Sequence, residues 1–176
     1  LRPMNYTAPT ALPDKLFDDV IMLDGKLYHM PVPVAELLED GWQPEGGADR
    51  GIASYRSPNI VFHKGNMSFI GEIWNPMDDA VAIKNLFIRE IEMNGSTGEL
   101  HVATGFALGG KDDKVEKAFE GSYYSIDNNG ERKSYNSAIW GRGDRPKKQR
   151  RVESVDCIIT TIIIYSEMDY SDEELE

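Results

Sequence analysis

The sequence predicts an α+β fold: a mostly antiparallel sheet with two short helices packed on one face. Three observations predict it. Stretches rich in β-branched and aromatic residues recur between Gly, Asn and Asp turn dipeptides, the pattern of hairpin-connected strands. Two segments, near residues 33–41 and 112–121, carry apolar residues at helical spacing. Each is about two turns long and ends at a glycine, so it must lie across a sheet to bury anything.

Residues 1–17 open with LRPMNYTAPTALP, three prolines without periodicity, and read as an extended tether. Asp18 to Met30 reads as two short strands joined at Asp24-Gly25, a strong turn dipeptide. Pro33 suits the first turn of a helix on which Val34, Leu37 and Leu38 share a face, and Gly41 stops it, with Trp42 packing back. IASYRS and NIVFHKG follow as short strands, and NMSFIGEIWNP alternates as a strand ended by Asn75-Pro76. In 83–93, Leu86, Ile88 and Ile91 leave the period open between helix and strand; β-branched content and Asn94-Gly95 favour strand. GELHVAT is the next strand. Asp112 or Asp113 is placed to cap a helix with Val115, Ala118 and Phe119 on one face, closed by Gly121. A hairpin turns at Asn128-Asn129-Gly130, and Ile158 to Ile164 form a buried central strand.

The two halves share this plan. Residues 18–166 therefore read as one α+β domain with 18–82 and 83–166 as candidate repeats. Residues 167–176, with six acids and no base, form an acidic tail.

Composition excludes several classes. The chain has 176 residues, 40% of them hydrophobic, with three Trp, eight Tyr and six Phe, enough for a packed core. One cysteine, Cys157, allows no disulfide framework. No apolar run approaches the length of a membrane-spanning helix. A net charge of −11 disfavours binding to nucleic-acid backbones.

Motifs of bond-making chemistry are incomplete. Gly105 to Lys111 matches a phosphate-binding loop until Asp112 stands where Ser or Thr should hold magnesium, and a glycine turn is the simpler reading. A calcium loop counted from Ser125 lacks its first Asp and has Asn136 at the twelfth place. His29, His63 and His101 have no metal-ligand spacing. No Gly-x-Ser-x-Gly elbow occurs, and Cys157 in its apolar surroundings reads as inert core. No catalytic residue, metal or cofactor is expected. Trp42, Trp74 and Trp140 read as packing caps, with an exposed ligand platform as the alternative.

One stretch stands out. Residues 142–151 hold six bases, Arg142, Arg145, Lys147, Lys148, Arg150 and Arg151, against the single acid Asp144. A solvated loop between strands is the plain reading. The functional one is a contact with an anionic ligand: teichoic acid, a lipid headgroup or a heparin-like glycan.

GFALGGKDDKVEKAFEG resembles the glycine-turn-helix segment of the small α+β repeats in the β-lactamase-inhibitor-protein superfamily, which the outer-membrane lipoprotein small protein A group shares. LDGKLYHMPVPVAELLEDGW resembles the opening of secreted or lipid-anchored domains from Gram-positive gut bacteria. The resemblance implies an exported or surface-attached binding or scaffold domain, lipid-anchored or free, with a protein or cell-envelope polymer as partner. It transfers no catalytic residue. Two other functions stay open: a cytoplasmic immunity-like protein whose acidic face neutralises a basic toxin, and a small hydrolase.

Overall fold

The computed structural model describes residues 6–95, 99–102, 107–120, 124–141 and 143–167. The chain begins with the hairpin β1 (Val20–Leu23) and β2 (Lys26–His29), turning through left-handed Asp24 (φ 51°) and Gly25 (φ 75°). Two positive φ values match the right-handed twist of the flanking strands, which is why Asp-Gly serves there. β3 (Val32–Pro33) leads into α1 (Val34–Glu39). Gly41 at φ 94° ends that helix, and the Trp42 amide donates back to the Leu37 carbonyl at 3.0 Å.

After β4 (Gln43–Pro44) and β5 (Gly51–Ile52) come the long strands β6 (Asn59–Lys64) and β7 (Met67–Trp74). β8 (Val81–Ala82) and one turn of 3-10 helix (Ile83–Asn85) precede β9 (Phe87–Asn94). Residues 83–93 are thus strand for most of their length, as their β-branched content predicts. β10 (Leu100–Val102) and α2 (Val115–Phe119) lead to three antiparallel hairpins through β11 (Tyr124–Asn129), β12 (Arg132–Trp140), β13 (Pro146–Val155) and β14 (Ile158–Ser166).

These strands build one nine-stranded antiparallel sheet in the order β11-β12-β13-β14-β9-β7-β6-β4, with β3 also paired to β9. A three-stranded sheet, β10-β1-β2, and the pair β5-β8 complete the fold. The large sheet draws strands from both halves of the sequence. The apolar β14 lies between β13 and β9, as a strand that would aggregate from an open edge must.

The expectation of an α+β fold with helices packed on one face is overturned. Strand makes up 51% of the described residues and helix 9%, so the fold is β-rich. Helices of six and five residues are too short to form a layer. Each only adds side chains to the core: Val34, Ala35 and Leu37 from α1, Val115 and Phe119 from α2. Nor does α2 take a side-chain cap from Asp112 or Asp113. Asp112 is buried and instead accepts a hydrogen bond from Ser154 Oγ at 2.7 Å. Gly121, the predicted stop, lies outside the described residues.

A single core unites the elements. Phe62 and Phe69 stack with ring centroids 5.0 Å apart, and Trp42 meets Phe69 edge-on at 4.9 Å. Each such pair adds about 1 kcal/mol beyond its buried area. Gly71 makes room for this layer: a Cβ there would lie 3.2 Å from Ile88 Cδ1 and 3.4 Å from Phe62. Trp42 is fully buried, and its Nε1 has no acceptor among the described residues.

Candidate functional site: the open sheet face and the basic strand

Most of the basic stretch is strand rather than loop: Pro146–Val155 is β13. Side chains alternate across a strand, and this divides the cations. Lys148 and Arg150 point toward the N-terminal segment and Arg151 toward the opposite, open face, while Lys147 falls at the register shift between β12 and β13. Arg142 lies outside the described residues.

Arg150 is only 2% exposed. Its Nε donates to Leu16 O at 3.1 Å, its Nη1 to Tyr165 O at 2.8 Å and its Nη2 to Asp19 Oδ1 at 2.9 Å. Lys148 Nζ reaches Asp19 Oδ2 at 2.6 Å and Phe17 O at 3.1 Å. Ser166 Oγ also donates to Asp19. Burial pushes the Asp19 pKa up, but the hydrogen bonds from Lys148 and Ser166 and the charges of Arg150 and Lys148 outweigh it, and the net shift is downward. Burial draws the Arg150 pKa down against the pull of Asp19, yet a guanidinium stays protonated in proteins. The carboxylate therefore governs how this pair titrates. These two cations fasten residues 16–19 to β13 and β14, and their charge is spent internally.

Arg145 and Arg151 belong to the open face. Cross-strand register places Glu90 opposite both Glu72 on β7 and Tyr165 on β14. A register shift in β7–β9 pairing next to Glu72 accompanies Arg89, which turns onto the same face. Glu72 accepts from Arg89 Nε and Nη2, both at 3.2 Å, and from Arg145 Nη2 at 3.2 Å. The Arg89 guanidinium covers Trp74 at 4.7 Å and Tyr165 at 5.8 Å, and Arg145 lies over Tyr165 at 5.3 Å. Two arginines, two aromatic rings and one carboxylate thus form a closed stack. Burial works against the charge on Arg145, but Glu72 chiefly holds its pKa above the ordinary value. Glu90, beside the stack, is raised by burial and then by Glu72 and Glu92, with Arg145 and Arg89 opposing.

Farther along the same sheet lies a hollow of about 440 Å³, lined by residues of β11 to β14. Asp127 and Asn129, Ser134, Arg151 and Glu153, and Thr160 and Thr161 furnish carboxylates, an amide, a guanidinium and hydroxyls. Arg151 Nη2 contacts Glu153 Oε1 at 2.8 Å, both half-exposed. Sequence reasoning found Arg145 and Arg151 but missed Glu72, Arg89, Tyr165 and the hydroxyls. Glu72 in β7, and Arg89, Glu90 and Glu92 among the apolar residues of β9, were the available signal.

The remaining candidates are scattered. His29 and His63 are exposed, and His101 Nε2 lies 2.7 Å from Glu99 Oε1. Among the described residues no three His, Cys, Asp or Glu side chains are placed to hold a metal ion. Gly105, where the phosphate-loop match begins, lies outside the described residues. Asp127 to Gly130 form the end of β11 and its turn into β12. Cys157 is exposed in the β13–β14 turn, not core as its apolar surroundings suggested. Trp42 does pack into the core and Trp74 sits under Arg89, whereas Trp140 is 64% exposed.

No helix among the described residues is long and apolar enough to cross a membrane. Comparison with protein families, curated proteins and solved structures returned no match.

Proposed function

We propose that this chain is a non-enzymatic binding domain, exported or attached to the cell surface, that holds a hydroxyl-rich envelope polymer on the open face of its large sheet. The observation that carries this reading is the polar hollow at Asp127, Asn129, Ser134, Arg151, Glu153, Thr160 and Thr161. Donors and acceptors fixed on four neighbouring strands suit a ligand with many hydroxyls, because such a ligand needs matched, pre-positioned partners to replace its water. A binding role is favoured over hydrolysis by the state of the best-placed acid. Both oxygens of Glu72 are engaged by two guanidinium groups rather than presented to a ligand. The resemblance to surface-attached domains supports the compartment.

Backbone-amide NMR titration with soluble envelope polysaccharide fragments tests the reading. Shifts confined to Ser134, Arg151, Thr160, Thr161 and their neighbours, weakened by Arg151→Ala, are expected. Saturating fragment with no shift in β11 to β14 would refute it.

A further inference from the structure

Beyond a ligand in the hollow, we propose that the turn between β12 and β13 docks onto an anionic lipid surface. The turn combines the two features that an interface-seeking element needs. Its leading edge is apolar: Ile139 is 41% and Trp140 64% exposed, side by side at the end of β12. Its trailing edge is cationic: Arg145 and Lys147 are both exposed, with Arg142 between them and the tryptophan in sequence. The indole settles at the headgroup level of a bilayer, where its ring is half in hydrocarbon and its N–H still meets water.

Local geometry presents both edges together. The register between β12 and β13 shifts between Ile139 and Trp140, and Trp140 comes to lie opposite Pro146. Such an irregularity re-aims a side chain and ends the pairing. Gly141 lets the aliphatic stem of Lys147 cross the backbone beside Trp140, since a Cβ there would fall 2.3 Å from Lys147 Cε and 2.8 Å from Cγ. The lysine's methylenes thus lie against the backbone next in sequence to Trp140, and the residue stays exposed, as a side chain able to snorkel does. Gly143, at φ 111°, closes the turn.

Charge selects an anionic surface. Residues 142–151 carry six bases and one acid on a chain of net charge −11, so an anionic bilayer attracts this end and repels the rest. Lys148 and Arg150 are taken up by Asp19, and Arg145, though 55% exposed, pairs with Glu72 at 3.2 Å, which leaves the exposed Lys147 as the turn's outward cation among the described residues. A soluble anionic polymer would use the cations alone. The exposed Ile139 and Trp140 are what favour a lipid surface over it.

Vesicle sedimentation with the full chain tests this. Vesicles of phosphatidylcholine with 30% or so phosphatidylglycerol are expected to bind it, and pure phosphatidylcholine vesicles far less, with binding falling as salt rises. Tryptophan emission should shift to the blue on binding, because Trp42 is already buried and Trp140 is the most exposed indole. Lys147→Ala should weaken binding about fivefold. Trp140→Ala should abolish the blue shift and most of the binding, while its far-UV circular dichroism and thermal midpoint match the parent. Equal binding to both vesicle types, or Trp140→Ala binding like the parent, would overturn the proposal. Inorganic polyphosphate binding as tightly as vesicles and insensitive to Trp140→Ala would also overturn it, in favour of simple charge attraction. Polysaccharide titration of the hollow is a separate measurement, so either reading can fail without the other.

Discussion

The Arg150 guanidinium meets Asp19 Oδ1 at 2.9 Å, and 131 residues of chain separate the two. Such a pair anchors the start of the domain to its last strands. Removing one partner of a buried pair leaves the other charge without compensation, a far larger effect than the net worth of the pair. Asp19→Ala is therefore expected to cost about 3–5 kcal/mol in urea unfolding. Arg150→Met with Asp19→Leu should recover a good part of that loss. If the double replacement is no better than Asp19→Ala alone, the cost lies in lost packing of Leu16 and Phe17 rather than in a stranded cation.

The same carboxylate sets part of the acid limb. Its folded pKa lies below the ordinary aspartate value. A depressed acid contributes stability that is present above its unfolded pKa, near 4, and is lost as pH falls through the folded value. Asp19→Asn should flatten the fall of stability below about pH 4. Urea midpoints measured from pH 6 downward check this; parallel curves for variant and parent would refute it.

Glu90 behaves in the opposite sense. Burial and the neighbouring Glu72 and Glu92 raise its pKa, so the folded state takes up a proton more readily than the unfolded one. Ionised Glu90 therefore opposes folding, and the penalty grows as pH rises from the ordinary carboxylate value through the raised one. Glu90→Gln is expected to raise the thermal midpoint at pH 7 and to leave it near the parent's at pH 4. A loss of stability at pH 7 would show that the arginines beside it depend on its charge.

Asn75 closes a different set of orphans. It is fully buried, and its Nδ2 donates to Ile52 O at 2.9 Å, Ala53 O at 3.1 Å and Asp79 O at 2.9 Å, while Oδ1 accepts from Met77 N at 3.0 Å. Asn75→Ala should cost about 2–3 kcal/mol, because carbonyls in the interior lose their donor. Asn75→Asp should be as harmful, since a carboxylate cannot donate to those carbonyls. Chemical denaturation at pH 7 separates the two from a surface replacement such as Glu131→Ala.

Local features of this fold are legible in the sequence because their causes are local. Asp24-Gly25 and Asn129-Gly130 announce their turns, and Val34, Leu37 and Gly41 announce α1 with its stop. Ile158 to Ile164 read correctly as an inner strand because they can lie nowhere else. The balance of strand over helix was not legible: helical spacing marks α1 and α2, but not that they stop after six and five residues. The basic stretch failed for another reason. Lys148 and Arg150 occupy inward positions of β13, where a pattern reader expects apolar residues, and their partner Asp19 is remote in sequence. The arginine–aromatic stack was hidden likewise, since Glu72, Arg89, Arg145 and Tyr165 come from four separate segments that only the strand order brings together.

The β13–β14 turn repeats the backbone of the first hairpin with one residue out of keeping. Asp24 and Gly25 have φ of 51° and 75°; Asp156 and Cys157 have 50° and 65°. Aspartate tolerates the left-handed region, and glycine enters it freely, but a cysteine Cβ crowds the following carbonyl at a cost of roughly 1–2 kcal/mol. The Cys157 side chain is exposed, so replacing it sacrifices little packing. Its carbonyl accepts from the Asp112 amide at 2.9 Å, a backbone bond that any residue preserves. Against the relieved strain stands the greater freedom that glycine gives the unfolded chain, about 0.5–1 kcal/mol. Cys157→Gly is thus expected to stabilise by about 0.5–1 kcal/mol, raising the thermal midpoint by a few degrees. Cys157→Ala, which keeps the Cβ, should leave the midpoint near the parent's. A lower midpoint for Cys157→Gly than for Cys157→Ala would mean that strain at this turn is not what limits the hairpin.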